Sequence, residues 1–216
     1  DQLGRDVLSR LVYGIRATVF LSLLTMAITA ALGACVGLVS GFFRNRIDDV
    51  LMRICDVMMS FPSEVMILAI VGMMGPGLEN VVIANVVAKW PWYARMVRSI
   101  VRQYSDKDYI RFAKVAGGSS IRIMMRHLLP GTAGELFVLT TLDTGIVNLM
   151  ISALSFLGLG VQPPTPEWGA IISGGRSFLF NAPWISIFPG IFLAVTGVGL
   201  SLLGDGLAKF FQVKGH

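Results

Sequence analysis

Long apolar stretches alternate with short polar ones along this chain, and five of the apolar stretches are predicted to be membrane-spanning helices. A helix needs roughly 20 apolar residues to cross the hydrocarbon core of a bilayer. The clearest stretch, Ala17 to Phe43, contains no charged residue. The other predicted spans run from about Ile54 to Met74, Val81 to Val101, Thr132 to Leu157 and Trp184 to Gly204. The pattern therefore predicts an all-α polytopic membrane protein.

Glycines spaced four residues apart lie within the first of these spans, at Gly33, Gly37 and Gly41. This spacing places them on one helix face, where the lack of side chains lets a second helix backbone approach closely. We therefore expect a packing face, with ordinary glycine usage in membrane helices as the alternative. In the second span, Pro62 predicts a kink because proline removes a helical hydrogen bond.

Charged residues at membrane depth are energetically costly, so their positions suggest function. Glu64 and Lys89 lie at similar distances from the turn Gly75-Pro76-Gly77, on two helices that this short turn makes antiparallel. They are therefore predicted to lie at the same depth and to pair, or at least to approach within one side-chain reach, which would lower the desolvation cost of each. In the alternative, Lys89 extends its ammonium group toward the inner membrane surface while Glu64 faces a neighbouring subunit.

A polar stripe runs along the fourth predicted span. It consists of residues that recur every four positions, Thr140, Thr144, Asn148 and Ser152, with Asp143 beside them. Such a stripe lines a water-filled route through the membrane or packs against another polar helix. In the first case, Asp143 would attract a cationic cargo into the route.

The composition excludes an ordinary soluble domain. Hydrophobic residues make up 54% of the chain, charged residues make up 14%, and the mean hydropathy is +0.71, whereas soluble domains are about 25% charged. The net charge is +5. Most of it lies between Arg102 and Gly131, where six Lys or Arg residues accompany two Asp residues. One concentrated basic segment indicates a cytoplasmic loop, in line with the positive-inside tendency, and no nucleic-acid partner is predicted.

The basic segment is predicted to form two short amphipathic helices. In each of them, four apolar residues fall at i, i+3, i+4 and i+7 and share one face. They are Tyr109, Phe112, Ala113 and Ala116 in the first helix and Ile121, Met124, Met125 and Leu128 in the second. Gly117 is expected to stop the first helix, and Ser119 or Ser120 to cap the second. Pro130 is expected to end the second helix, since proline disfavours the helical conformation of the residue before it.

This order of helix, glycine, helix and Leu-Pro resembles the coupling loop of bacterial binding-protein-dependent ABC importers. The family consensus has Glu-Ala-Ala, three residues, Gly, then Ile and Leu-Pro. The chain aligns with it through Arg111-Phe112-Ala113, Gly117, Ile121 and Leu129-Pro130, so the acidic residue and the first alanine are replaced. Three further segments resemble the C-type permease of the dipeptide, oligopeptide and nickel importers, namely residues 1–11, 154–160 and 164–169.

Two other segments within that family look closer to the nickel-type permeases, namely residues 90–99 and 141–145. Peptide-type members often carry a Glu near the position of Ile151, and this chain does not. Nickel, a metal bound to a small chelator and short peptides all fit the family. We favour nickel or a metal chelate as the sequence-based interpretation, with a peptide as the alternative.

The resemblance implies the transmembrane domain of a type I ABC importer in the bacterial inner membrane. Residues 1–16 are then expected to form an amphipathic segment on the outer face, and residues 17–206 the transmembrane domain. Residues 105–131 would be its cytoplasmic coupling loop, and residues 207–216 a cytoplasmic tail. Family members carry one more N-terminal span, which is expected to be absent from this chain.

The resemblance also implies the partners. They would be a homologous permease that completes a heterodimer, two cytoplasmic ABC ATPases and an extracytoplasmic substrate-binding protein. The chain has no phosphate-binding Gly-xxxx-Gly-Lys-Ser/Thr motif. It is therefore predicted to be non-catalytic and to carry no cofactor, with ATP and Mg²⁺ bound by the ATPases. Cys35 and Cys55 lie apart from other Cys or His residues, so no metal site is predicted.

Two sets of functional residues follow. The residues expected to couple the chain to an ATPase are Ala113, Lys114, Ala116, Gly117, Ile121, Arg122, Leu128 and Pro130. The candidates for the translocation path are Glu64, Lys89, Asp143, Thr144 and Asn148. An ion-coupled secondary transporter is the main alternative, because the same buried charges could serve it. An intramembrane enzyme is disfavoured, since the chain lacks a dense arrangement of His, Cys or Ser-Lys.

Overall fold

The computed structural model describes residues 1–211, and helices account for most of this part of the chain. The α-helices are α1 (Val7–Ile15), α2 (Leu21–Phe43), α3 (Arg46–Met59), α4 (Ser63–Met74), α5 (Leu78–Ser105), α6 (Asp108–Val115), α7 (Ser120–Ile123), α8 (Leu129–Phe156), α9 (Trp168–Gly175) and α10 (Trp184–Phe210). Two π-helical turns, Arg16–Phe20 and Met124–Leu128, join α1 to α2 and α7 to α8. The expected tail at residues 207–216 lies outside the described residues from position 212 onward.

Each of the five predicted spans corresponds to a helix, namely α2, α4, α5, α8 and α10. Within residues 1–211, three helical runs are long and apolar enough to cross a membrane, Val7–Phe43, Ser120–Phe156 and Trp184–Phe210. A fourth results if α3 and α4 count as one broken span. Helix α5 has 28 residues, which gives a length of about 42 Å, but it carries more polar residues than the others.

The second predicted span differs from the structure in its start and in its shape. Its expected start near Ile54 lies inside α3, which already begins at Arg46. The Asn45 side chain accepts a hydrogen bond from the Ile47 N–H at 3.0 Å and so caps this helix. Helices α3 and α4 are bent by 81° at the break that contains Pro62. The proline therefore separates two helices rather than bending one.

Pro130 does not end the second loop helix, contrary to the prediction. It lies in the first turn of α8, and the helical run continues from Ser120 to Phe156. The preceding π-helical turn explains the difference, since the Leu129 N–H bonds to the Met124 carbonyl one residue further back than in an α-helix. The wider turn accommodates the proline ring that an α-helical turn would exclude.

The predicted glycine face is confirmed as the contact between α2 and α5. A Cβ atom added at Gly37 would lie 2.6 Å from the Ala94 carbonyl oxygen, and one added at Gly41 would lie 2.8 Å from Val101 Cγ1. A Cβ atom added at Gly33 would lie closer still to Tyr93 Cβ. Two α-helix backbones therefore pack at a distance that side chains would prevent.

The bundle has a basic end and a proline-rich end. The basic end carries residues 105–131, together with the C-terminal ends of α2 and α5. The proline-rich end carries α1, residues 157–167 and the start of α9. There the indole N–H of Trp168, the first residue of α9, donates to the Leu11 carbonyl of α1 at 2.9 Å. The main core between the ends is formed by α2, α4, α5 and α8.

Candidate functional site

Residues 105–131 form the helix, glycine turn and helix that the sequence predicts. Helix α6 ends before Gly117, whose φ of +79° lies in the left-handed region that glycine adopts without strain. The Gly118 N–H then bonds back to the Ala113 carbonyl at 3.0 Å. Ser119 caps α7, because its hydroxyl accepts a hydrogen bond from the Arg122 N–H at 3.4 Å.

The outer side of this loop combines exposed apolar and basic side chains. Phe112 and Ile121 are each 72% exposed, and Val115 is 86% exposed. The predicted coupling residues that lie on the exposed surface are Lys114, Ala116, Gly117, Ile121, Arg122 and Pro130, while Ala113 is half-buried. Large apolar side chains that are this exposed beside arginines and lysines indicate a surface for protein contact.

Leu128 differs from the other predicted coupling residues because it is fully buried. It packs with Ile110 and Ile123 against α2 and α5 and therefore faces the bundle. Of these three fully buried loop residues, the i, i+3, i+4, i+7 pattern selected Leu128 alone, while Ala113 and Met124, which it also selected, pack against the same cluster as half-buried residues. In helices of only one or two turns, the way in which the loop folds back onto the bundle decides which face is buried. The pattern of apolar positions does not contain this information.

The loop is also fixed to the bundle by charged groups. Arg44 forms an ion pair with Asp106 at 2.9 Å, and this hydrogen-bonded guanidinium holds the pKa of Asp106 below its usual range. The Lys114 ammonium lies 4.7 Å from the centroid of the Phe42 ring, at the end of α2. The start of the loop and α6 therefore stay in contact with the C-terminal end of α2.

Three of the predicted path residues line one cavity of about 400 Å³ between α4, α5 and α8. They are Glu64, Lys89 and Asp143. Across the described part of the chain, Glu64 and Lys89 make no direct ion pair, so the predicted pairing reduces to a shared cavity. The Glu64 carboxylate instead accepts a hydrogen bond from the Ser63 hydroxyl at 2.9 Å.

Asp143 is held in place by a tyrosine that the sequence did not single out as its partner. The Tyr93 hydroxyl donates to Asp143 Oδ2 at 2.8 Å, and the Tyr93 side chain is buried beside the cavity. This hydrogen bond fixes one carboxylate oxygen. A Tyr-Asp pair joins α5 to α8 at the cavity wall.

Thr144 and Asn148 lie outside this cavity, so their place on the translocation path stays a prediction. Both are buried within the bundle. The Thr144 hydroxyl donates to the Thr140 carbonyl at 2.6 Å, and the Asn148 amide donates to the Thr196 hydroxyl of α10 at 3.3 Å. At Asn148 the polar stripe therefore packs against α10, as one of its two interpretations expects.

Within residues 1–211, no group of three or more His, Cys, Asp or Glu side chains could hold a metal ion. The cavity instead combines two carboxylates with one ammonium group. A fixed positive charge opposes the binding of a bare metal cation. The arrangement is better matched to a molecule that carries both signs of charge.

The solved structures include a match to a chain of the MetNI methionine ABC transporter, determined in inward-facing conformations. The TM-score is 0.73 at 17% sequence identity, and the match covers 94% of this chain and 96% of that chain. At this identity the likeness shows the fold, which is that of a type I ABC importer transmembrane domain.

Curated relatives are similar over nearly the whole chain. The di/tripeptide transport system permease protein DppC of Pseudomonas aeruginosa is 39% identical over 99% of this chain and 71% of its own length. The glutathione transport system permease protein GsiD of Pectobacterium atrosepticum is 37% identical over 99% and 71%. The nickel transport system permease protein NikC of Escherichia coli is 36% identical over 96% and 75%.

A family profile decides the classification. The profile of the binding-protein-dependent transport system inner membrane component matches residues 33–214, which is most of the chain. This match agrees with the fold and with the predicted glycine turn of the loop. The chain therefore belongs to the binding-protein-dependent transport family and is a non-catalytic permease subunit of an ATP-driven importer in the inner membrane.

Proposed function

We propose that this permease pairs with a homologous subunit, that its basic end faces the cytoplasm, and that residues 105–131 receive the movement of one of two ABC ATPases. The proline-rich end then faces the substrate-binding protein, and cargo passes the cavity lined by Glu64, Lys89 and Asp143. The observation that carries this proposal is the exposed apolar and basic surface of a loop whose other side is anchored in the bundle.

This surface suits an ATPase groove because it presents a short helical segment. Phe112 and Ile121 provide apolar contacts, while Lys114 and Arg122 provide positive charge around them. Binding of an amphipathic helix in a groove is a recurring mode of recognition. Closure of the ATPases on ATP would then move the loop, and the helices attached to it would follow as rigid bodies.

Replacing Gly117 tests this role of the loop. A Gly117→Val variant forces a β-branched residue to a φ of +79°, so α7 should change direction. We expect ATP hydrolysis by the purified transporter to persist while uptake into proteoliposomes falls about tenfold or more. Gly206→Val is the control, because a Cβ atom at that exposed helical position meets open space. Normal uptake by the Gly117 variant would contradict the proposal.

The cargo is proposed to be a short peptide or a metal chelate, with charges of both signs, rather than bare Ni²⁺. Relatives named for peptide, glutathione and nickel transport are 36% to 39% identical to this chain, so identity does not select nickel. Lys89 favours a cargo with a carboxylate, while Glu64 and Asp143 favour one with a positive group. The chemistry of the cavity therefore modifies the sequence-based preference for nickel.

Isothermal titration of the partnering binding protein identifies the cargo class directly. The ligands are a dipeptide, nickel chloride and a nickel–histidine complex. Binding of nickel chloride alone would contradict the proposed cargo. In the permease, Asp143→Asn should reduce uptake of the cargo while the ATPases still co-purify, and unchanged uptake would remove Asp143 from the path.

A further inference from the structure

Asp48 lies at the basic end of the bundle, in a cluster of charges that the roles proposed above do not use. Its side chain is only 3% exposed. Arg98 donates to it twice, from Nε to Oδ1 at 2.5 Å and from Nη2 to Oδ2 at 2.8 Å. Ser40 donates to Oδ1, and Arg102 donates to Oδ2. One carboxylate of α3 thus receives donors from both α2 and α5.

The pattern of α3 shows that Asp48 belongs to the buried face of the helix. Asp48, Met52 and Cys55 are its buried residues, and their spacing of i, i+4 and i+7 defines one helix face. An acidic residue on an otherwise apolar face needs a partner on the neighbouring helix. The acidic residue on this face is visible in the sequence. Its partners, Arg98 and Arg102, lie about 50 residues further along the chain.

Arg44 links this cluster to the loop. It occupies the corner between α2 and α3, with a φ of +47°. Its Nη2 donates to the Arg102 carbonyl at 2.7 Å, and its Nη1 pairs with Asp106 at 2.9 Å. Asp106 follows the end of α5 and lies two residues before α6, which begins the exposed surface of the loop. The start of the loop, the end of α5 and the α2–α3 corner are therefore connected by charged contacts.

The other end of α3 reaches the cavity. Met59, the last residue of α3, lines it, and so do Ser63 and Glu64 just after the 81° break. A helix of 14 residues is about 21 Å long and moves as a rigid element. A displacement applied near Asp48 would therefore appear at the cavity wall, with the break between α3 and α4 as the joint.

We propose that Asp48 is a positioning residue that makes α3 follow the loop and the end of α5, and so transmits the ATPase stroke to the cavity wall. The inference rests on the proposed function, because an ATPase must move the loop. The Asp48 carboxylate is suited to this role because two arginines of α5 bind it and so tie α3 to α5 before the break between α3 and α4. Neither Asp48 nor the arginines need to touch the cargo.

A thiol reporter at the cavity tests this transmission. The transporter is purified with its ATPases after Cys35→Ala and Cys55→Ala, and Ser63→Cys places a thiol of similar size at the cavity wall. The rate of its reaction with a hydrophilic maleimide is measured with and without ATP. With Asp48→Asn, we expect ATP hydrolysis to persist and the ATP-dependent change in the labelling rate to fall about tenfold.

The matched control is Asp56→Asn. Asp56 pairs with Arg95 between the same two helices, but the two side chains are 51% and 45% exposed. This control should retain the ATP-dependent change, and Asp48→Glu, which keeps the charge, should restore most of it. A purely structural role of Asp48 would lower hydrolysis and the labelling response together, and that result would overturn the proposal.

The remaining outcomes distinguish a failure of the role of Asp48 from a failure of the proposed function. A parental response in Asp48→Asn overturns the role of Asp48 alone, whereas a parent protein that binds no ATPase overturns the proposed function as well. If the Asp48→Asn transporter does not assemble, Arg44→Gln is the variant that tests the proposal. Arg44 is partly exposed, and its replacement leaves the contacts of Asp48 with Ser40, Arg98 and Arg102 intact. Arg44→Gln should weaken the labelling response, and an unchanged response would overturn the proposal.

Discussion

Two buried carboxylates mark the two ends of this bundle, and their partners differ in kind. At the basic end, Asp48 is held by two guanidinium groups and one hydroxyl. At the proline-rich end, Glu167 is fully buried and accepts hydrogen bonds from the Ser152 hydroxyl at 2.6 Å and the Thr18 hydroxyl at 3.1 Å. Among the described residues, no Lys or Arg forms an ion pair with Glu167.

Under the proposed function, this difference suits the basic end to movement. Coulomb attraction falls off gradually with distance, so an ionic cluster tolerates small shifts between helices. Hydrogen bonds from uncharged donors, such as those to Glu167, weaken steeply when their geometry changes, so they hold one arrangement. In that proposal, the ionic cluster keeps the helices of the basic end together during movement, whereas Glu167 holds the π-helical turn Arg16–Phe20, α8 and α9 in one arrangement at the opposite end.

The largest effect is expected from Asp48→Ala. The substitution leaves Arg98 and Arg102 without their carboxylate, and breaking such a pair by removing one partner lowers the free energy of unfolding by about 3 kcal/mol. Denaturant titration in mixed micelles measures it. An effect smaller than that of Glu167→Gln would reverse the comparison between the two ends.

A smaller effect is expected from Glu167→Gln. Glutamine keeps one oxygen for the two hydroxyls, but its amide group would face the Ala170 N–H, which now donates to Glu167 at 2.9 Å. A donor opposite a donor in a buried site should lower the free energy of unfolding by about 2 kcal/mol. Because no charged pair is involved, this difference should not change between low and high salt. A strong salt dependence would show that a cation acts on Glu167.

Trp168→Phe tests a hydrogen bond between two uncharged groups at the proline-rich end. Phenylalanine retains most of the apolar contact but loses the indole hydrogen bond to the Leu11 carbonyl. The expected loss is about 1 kcal/mol in the free energy of unfolding. Proteolysis of the N-terminal segment should accelerate, since this bond ties α1 to α9. An unchanged cleavage rate would mean that packing alone holds α1.

The smallest effect is expected from Asp56→Asn. Its pair with Arg95 joins the same helices as the Asp48 cluster but is half exposed to solvent, and such pairs contribute less than about 1 kcal/mol. The loss should vanish at high salt. A loss in the free energy of unfolding as large as that of Asp48→Ala would show that the strength of the ion pairs between α3 and α5 does not depend on their burial.

The sequence by itself determined the features that depend on neighbouring residues. The length of an apolar stretch predicts a helix, and all five predicted spans contain one, although only three helical runs among the described residues, or four with the broken α3–α4 pair, are long and apolar enough to cross a membrane. Gly117 and Ser119 mark the turn because a positive φ and a helix cap are local requirements. The glycine spacing in α2 also predicted a close helix contact, although not that α5 provides it.

Only the tertiary structure decided which way each side chain faces. Leu128 and Thr144 are buried, Asn148 bonds to α10, and Glu64 shares a cavity with Lys89 without an ion pair. A π-helical turn likewise let the helix run through Pro130. Each outcome depends on the rotation and crossing of helices that are distant in the chain. The free energy of packing sets these angles, and a local pattern of polar and apolar positions does not contain them.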